Sequence, residues 1–220
     1  MTYEEFLRTK QIEHINSGFD IDESDMNDML FPFQRFCVRR AIKAGKYALF
    51  ADTGLGKTVM QLEWAQKISE KENRPVLILA PLAVVGQTIN EGVKFGYKVT
   101  EIDTNVCGNG IFITNYENLD NLNHPDFCGI VLDESSILKN FDGKTKQKLI
   151  DVFVNTPYKL ACTATPSPND VMELCNHAEF LDVMSRNEML AMYFVHDGGE
   201  TTKWRLKGHS ERVFWDFVSS

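Results

Sequence analysis

ADTGLGKT, residues 51–58, decides the fold of this chain. An apolar run, YALF at 47–50, leads into it and a helix-forming run, VMQLEWAQ at 59–66, leads out, so the segment reads as strand, loop and helix. Gly54 and Gly56 tolerate backbone angles closed to other residues. Successive N–H groups of a loop made of Asp52, Thr53, Gly54, Leu55 and Gly56 can therefore turn inward on an anion at the helix N-terminus. In a G-x-x-x-x-G-K-[ST] loop, the Walker A pattern, Lys57 reaches the β- and γ-phosphates of a nucleoside triphosphate and the Thr58 hydroxyl ligates Mg2+. Ala51 stands where that pattern has its first glycine.

Outward from the loop, apolar strands alternate with amphipathic helices. The pattern predicts strands at 47–51, 76–80, 98–102, 111–114, 129–133 and 158–162, and helices at 57–70, 83–95, 116–121 and 143–154. Such alternation implies an α/β fold, a mostly parallel sheet with helices on both faces that binds ligands at the carboxyl ends of its strands. Upstream, LFPFQRF at 30–36 begins a helix with Pro32 in its first turn and Gly45 at its stop. Before it, Thr2 and Glu5 form a capping-box pattern that predicts a first helix to about Ser17, followed by an acidic loop at 20–25. After Pro168 the rhythm changes to helical periodicity at 169–192, a hairpin around Asp197, Gly198 and Gly199, and a last helical segment at 210–220. The expected organisation is an N-terminal helix and acidic loop (1–29), the nucleotide domain (30–170) and a helical and hairpin extension (171–220).

Of the 220 residues, 43% are hydrophobic and 25% charged, the balance of an ordinary globular domain. The longest apolar stretch, PVLILAPLAVVG at 75–86, is too short to span a bilayer and is broken by Pro81, so no membrane association is expected. No basic, apolar leader opens the chain, and the five cysteines (Cys37, Cys107, Cys128, Cys162, Cys175) form no C-x-x-C pair. A reducing cytoplasm is the expected setting. A net charge of −8 argues against a general nucleic-acid coat and leaves only local basic paths: Arg39 with Arg40, Lys144 with Lys146 and Lys148, and Lys203 with Arg205 and Lys207. Each has a plain alternative as a solvated face.

Two further strands end in chemistry. GIVLDESS, 129–136, is a buried strand closing on adjacent carboxylates. At the sheet's carboxyl edge Asp133 would hold the Mg2+ shared with Thr58, while Glu134, facing the other way as the strand ends, would act as general base on water. ACTATP, 161–166, ends in small hydroxyl residues. Thr163 and Thr165 are short enough to hydrogen-bond a carboxylate such as Glu134 on the neighbouring strand, and so to couple the site to the presence of a γ-phosphate.

The ordered set Gln34, 51–58, Ala80-Pro81, Thr114-Asn115-Tyr116, Asp133-Glu134 and Thr163 to Thr165 resembles the first, RecA-like motor domain of superfamily 2 helicases and translocases of DEAD/DEAH type. DESSILKN, 133–140, is similar to the Swi/Snf-type double-stranded-DNA translocase branch, and KWRLKGH, 203–209, resembles helicases of phages and prophages. The resemblance covers roughly residues 30–170.

It implies an ATP- and Mg2+-dependent helicase or translocase that hydrolyses ATP to ADP and phosphate, in the host cytoplasm if of phage origin. Gln34 would recognise the adenine edge, with Phe31 or Phe33 against the base. Pro81, Thr114, Asn115, Tyr116, Lys139 and Asn140 would contact the nucleic-acid backbone, of DNA rather than RNA. The family also needs a second RecA-like domain or chain bearing an arginine finger, worth about 10³–10⁵ in rate in related enzymes. Residues 171–220 are too few to supply it, so the chain is expected to be the N-terminal half of a longer motor and feebly active alone. Two other readings stay open at this point: a non-catalytic half-motor serving as a nucleotide-binding regulatory module, and a small P-loop kinase or GTPase, although no N-K-x-D pattern occurs.

Overall fold

The computed structural model describes residues 16–104, 106, 108–122, 127–139, 143–196 and 204–219. The helix expected from Thr2 falls on residues 1–15 and lies outside the described residues, as do Asn140, Lys203 and the expected turn at Asp197, Gly198 and Gly199.

Helix α1 (Pro32–Ala44) starts on Pro32, whose missing N–H costs nothing at a first position. The Gln34 side chain reaches back to accept from the Phe31 N–H at 2.9 Å, and Gly45, at φ 79°, closes the far end on the Ala41 and Ile42 carbonyls. There follow β1 (Lys46–Phe50), α2 (Lys57–Glu72), β2 (Pro75–Ala80), α3 (Leu82–Phe95), β3 (Val99–Glu101), β4 (Gly110–Asn115), β5 (Gly129–Asp133), α4 (Lys144–Val152) and β6 (Tyr158–Thr163). The six strands form one parallel sheet in the order β1-β6-β5-β2-β4-β3. Alternation splits each strand between two cores. Val76 and Ile78 face the layer of α1 to α3 with Ile42, Leu62 and Trp64, whereas Leu77 and Leu79 face Leu149, Phe153 and Phe180.

This strand order places the site. β6 lies between β1 and β5, with Phe50 level with Thr163 and Cys162 level with Asp133. Three segments far apart in sequence, the loop after β1, the end of β5 and the end of β6, therefore leave one edge of the sheet side by side. That edge is the carboxyl one, where parallel sheets bind their ligands.

The segment 116–121, expected as an α-helix, is a 3-10 turn instead. Six residues allow little i→i+4 bonding, and the Asn115 side chain accepts from the Asn118 N–H at 2.8 Å, which starts the tighter turn. Beyond β6 come α5 (Leu174–Phe180), α6 (Arg186–Tyr193), the antiparallel pair β7 (Phe194–His196) and β8 (Trp204–Leu206), and α7 (Glu211–Ser219). Their own core closes around Phe214, whose ring centroid lies 5.4 Å from that of Tyr193 and 5.6 Å from that of Phe194. Phe50 packs against this cluster, joining it to the sheet.

Candidate functional site

The loop between β1 and α2 carries two left-handed glycines, Gly54 at φ 81° and Gly56 at φ 77°. They differ in need. A Cβ on Gly54 would meet open space, whereas one on Gly56 would lie 2.4 Å from Gln34 Nε2. Gln34 is 5% exposed and donates to the Leu55 carbonyl at 3.0 Å, so α1 holds the loop from behind. Gly56→Ala combines a left-handed penalty with that clash, and is expected to destabilise the fold by about 2 kcal/mol. Urea unfolding measures it, and an unchanged midpoint would remove Gln34 as the loop's brace.

No side chain caps the first turn of α2, a helix of 16 residues, so its leading N–H groups face the loop with the positive end of the helix dipole behind them. Lys57 Nζ folds back on the Ala51 and Asp52 carbonyls at 2.9 and 3.1 Å. Carbonyl dipoles are weak partners for an ammonium group compared with phosphate oxygens. Asp52 Oδ1 accepts from the Thr53 N–H at 2.7 Å, and Thr58 stands half-buried in the helix's first turn.

Asp133 ends β5 with its Oδ1 accepting from Gln61 Nε2 at 2.8 Å. Burial raises its pKa; the Gln61 bond and the Lys57 charge oppose the rise, and Glu134 adds to it. Next to it Glu134 takes φ 60°, a left-handed backbone rare outside glycine, which turns its carboxylate toward β6. Thr163 Oγ1 donates to Glu134 Oε1 at 2.6 Å and accepts from the Thr165 N–H at 2.9 Å. Of the two hydroxyls expected there, only Thr163 meets the carboxylate. Thr165, two residues past the end of β6, is exposed and meets Thr163 through its backbone N–H.

The donor set suits Mg2+ with a triphosphate. Among the described residues there is no group of three or more His, Cys, Asp or Glu that could hold a metal by protein ligands alone. A hydroxyl at Thr58 and one carboxylate at Asp133 would leave the remaining positions to phosphate and water, the usual habit of Mg2+.

The expected nucleic-acid residues divide. Thr114 is 2% exposed and its Oγ1 accepts from Asn118 Nδ2, while Tyr116 is 8% exposed and donates its hydroxyl to the Asp133 carbonyl at 2.8 Å. Burial takes both off the surface: Tyr116 braces the end of β5, and Thr114 holds the turn after β4 through Asn118. Asn115 caps the turn after β4, Pro81 is half-buried at the start of α3, and Lys139 is exposed. The basic clusters also change character. Arg39 pairs with Asp20 at 3.0 Å, Arg40 donates to the Ser219 carbonyl, Lys146 is buried against Glu179 at 2.6 Å, and Lys148 pairs with Asp120. Lys207 caps α6 through the Ala191 and Met192 carbonyls.

Sequence reading missed Gln61, which is fully buried and sits three residues after Thr58 on the same face of α2. That spacing was its only signal. It also missed His177 on α5, 2% exposed, whose pKa burial depresses to about 4. A histidine near 6.5 when unfolded and about 4 when folded keeps its full stabilising effect above pH 6.5 and loses it as pH falls toward 4. Stability is thus expected to fall by about 3 kcal/mol between pH 7 and pH 4 from this group. Urea unfolding at both pH values reads it, and His177→Gln should show a shallower decline.

The profile of the SNF2-related domain family matches residues 34–191. Among solved structures, the Sulfolobus solfataricus SWI2/SNF2 ATPase core in complex with dsDNA superposes with a TM-score of 0.67 at 23% identity, over 79% of this chain and 40% of that one. The S. solfataricus SWI2/SNF2 ATPase core domain gives a TM-score of 0.61 at 23% identity, over 81% of this chain and 42% of that one. The UvsW helicase from bacteriophage T4 gives 0.57 at 12% identity, over 84% and 66%. The chain thus spans about two fifths of the length of the SWI2/SNF2 cores and about two thirds of UvsW. No curated protein sequence matches it. No helix among the described residues is long and apolar enough to cross a membrane. With a six-stranded parallel sheet, a glycine loop at its carboxyl edge and a family match over most of its length, the chain belongs to the SNF2-related domain family and has a RecA-like α/β fold.

Proposed function

We propose that this chain is the ATP-binding first motor domain of an ATP-dependent DNA translocase, with Glu134 as the general base for hydrolysis to ADP and phosphate. The observation that carries the reading is the Thr163–Glu134 hydrogen bond, formed at the edge where the glycine loop emerges. A carboxylate held by a strand-end hydroxyl is oriented before any water arrives, which is what a base in a preorganised site requires.

The roles follow from the geometry. The loop N–H groups from Thr53 to Thr58 and the Lys57 ammonium would take the phosphates. Gln34 spends one N–H on Leu55 and one lone pair on Phe31, which leaves one donor and one acceptor for an adenine edge. Phe31, 64% exposed and stacked on Phe33 at 6.2 Å, offers the base an aromatic face. Thr58 and Asp133 would hold Mg2+, which supplies charge neutralisation on the phosphate oxygens when bound. A second RecA-like domain would form the opposite wall and bring the arginine, and the Pro81, Asn115 and Lys139 edge would meet a DNA backbone. Domain limits at 30 and 170, and a cytoplasmic setting, belong to the same proposal.

ATP turnover of the full-length protein with double-stranded DNA, single-stranded DNA, RNA or no nucleic acid tests it. Stimulation by double-stranded DNA, weakening steeply with salt, is the expected result. Preference for GTP, phosphorylation of an acceptor, or ATP binding with no nucleic-acid-stimulated turnover would each overturn it.

A further inference from the structure

A turn stands directly behind Glu134 that the ATP site does not explain. Residues Ser135–Lys139 form a 3-10 turn, and helix α5 grips it at both ends. At the first end Ser135 Oγ lies 3.1 Å from His177 Nε2, with Ser135 fully buried. The ring's other nitrogen, Nδ1, lies 3.3 Å from the Glu173 carbonyl, which can only accept. Nδ1 therefore carries the hydrogen, Nε2 is bare, and the Ser135 hydroxyl donates to it. At the far end Asn176 Nδ2 donates to the Leu138 carbonyl at 2.7 Å and to the Lys139 carbonyl at 3.3 Å. Its Oδ1 accepts from Lys146 Nζ at 3.2 Å, and Lys146 in turn pairs with Glu179. Every partner has a fixed polarity, so the amide can sit only one way round.

The position of this clamp gives it a task. Glu134 holds a left-handed backbone that a non-glycine residue keeps only when its surroundings over-determine it. On the β5 side the ladder and Tyr116 fix the Asp133 carbonyl. On the other side the constraints are the Ile137 N–H on the Glu134 carbonyl at 3.3 Å and the Ser135 side chain on His177. Without the second, only the 3.3 Å Ile137 bond would hold this side, and Glu134 would be less constrained against relaxing toward the right-handed region, which would carry its carboxylate away from Thr163.

We propose that His177 is a positioning residue for Glu134, acting through Ser135. Asn176 holds the far end of the same turn, so α5 belongs to the machinery of hydrolysis although it touches no substrate. The proposal rests on Glu134 being the base. A neutral His177 fits its acceptor role, and burial keeps the ring neutral at working pH.

The test uses the full-length protein with His177→Leu, His177→Gln, Ser135→Ala and the pair Ser135→Ala with His177→Leu. His177→Leu is expected to lower kcat for ATP at least tenfold with KM changed less than twofold, and to speed hydrogen exchange in peptides covering 133–139 with the strands still protected. His177→Gln, whose side-chain carbonyl can accept in place of Nε2, should recover most of both. Ser135→Ala should reproduce the loss, and the double variant should be no worse than the worse single one. If His177→Leu does not fold, Ser135→Ala tests the same bond from its other end. Wild-type kcat with unchanged exchange in either variant, a loss carried by KM, or additive losses in the pair would overturn the proposal. If the wild-type protein shows no ATP turnover, the functional reading fails and so does the role at Glu134; unaltered binding with altered exchange would then leave only a structural clamp.

Discussion

Lys57→Ala is expected to abolish tight ATP·Mg2+ binding while leaving the fold intact. In the structure the Lys57 ammonium rests on the Ala51 and Asp52 carbonyls, both in the loop's own backbone. Phosphate oxygens are stronger partners, and hydrogen bonds between charged groups are worth about 1.5–3 kcal/mol each. Losing two of them predicts a fall in affinity of roughly 10²–10⁴-fold. The cost to stability is much smaller, because the side chain is half-exposed and water can replace it on both carbonyls. Isothermal titration with ATP·Mg2+ reads the first quantity and thermal unfolding the second. Wild-type affinity would show that Lys57 does not reach the phosphates, and collapse of the fold would show that the ammonium's first duty is to hold the loop closed.

The strands were legible because a parallel sheet buried on both faces writes itself as continuous apolar runs. VLIL within β2 and IVL within β5 have no polar interruption, so their existence follows from composition and their ends from the residues that break the run. The Thr163–Glu134 contact was legible too, since both strands end in polar residues and a carboxylate next to a hydroxyl is a small set of options. What sequence could not give was depth. Thr114 and Tyr116 look like a polar strand exit, yet β4 lies between β2 and β3 and its end stays covered, so their hydroxyls turn inward. One member of the basic clusters was misplaced for a similar reason: spacing along α4 puts Lys146 on the helix's inner face, where Glu179 on α5 meets it. A histidine far along the chain, in a helix outside every recognised motif, carries no local sign that it will lie against Ser135.

Glu134→Gln is expected to leave ATP·Mg2+ affinity unchanged and to lower turnover of the full-length protein by roughly 10²–10⁴-fold, the range for loss of a general base. The amide keeps an oxygen that can accept from Thr163, so the hydrogen bond at 2.6 Å and the turned backbone both survive the change. What is lost is the ability to take a proton. Glu134→Ala removes the proton acceptor and the Thr163 contact together, so a comparison of the two separates chemistry from positioning. Equal turnover in both would mean that orientation of the hydroxyl contributes little; a further drop in alanine would mean that Thr163 senses the site through this bond. Glu134→Gly sharpens the point, because it relieves a left-handed conformation that costs a non-glycine residue about 1–2 kcal/mol. Glycine should therefore keep stability close to wild type, with turnover as low as in alanine. The strain at this residue would then be identified as a cost kept for catalysis, held in place by the strand on one side and the Ser135–Lys139 turn on the other.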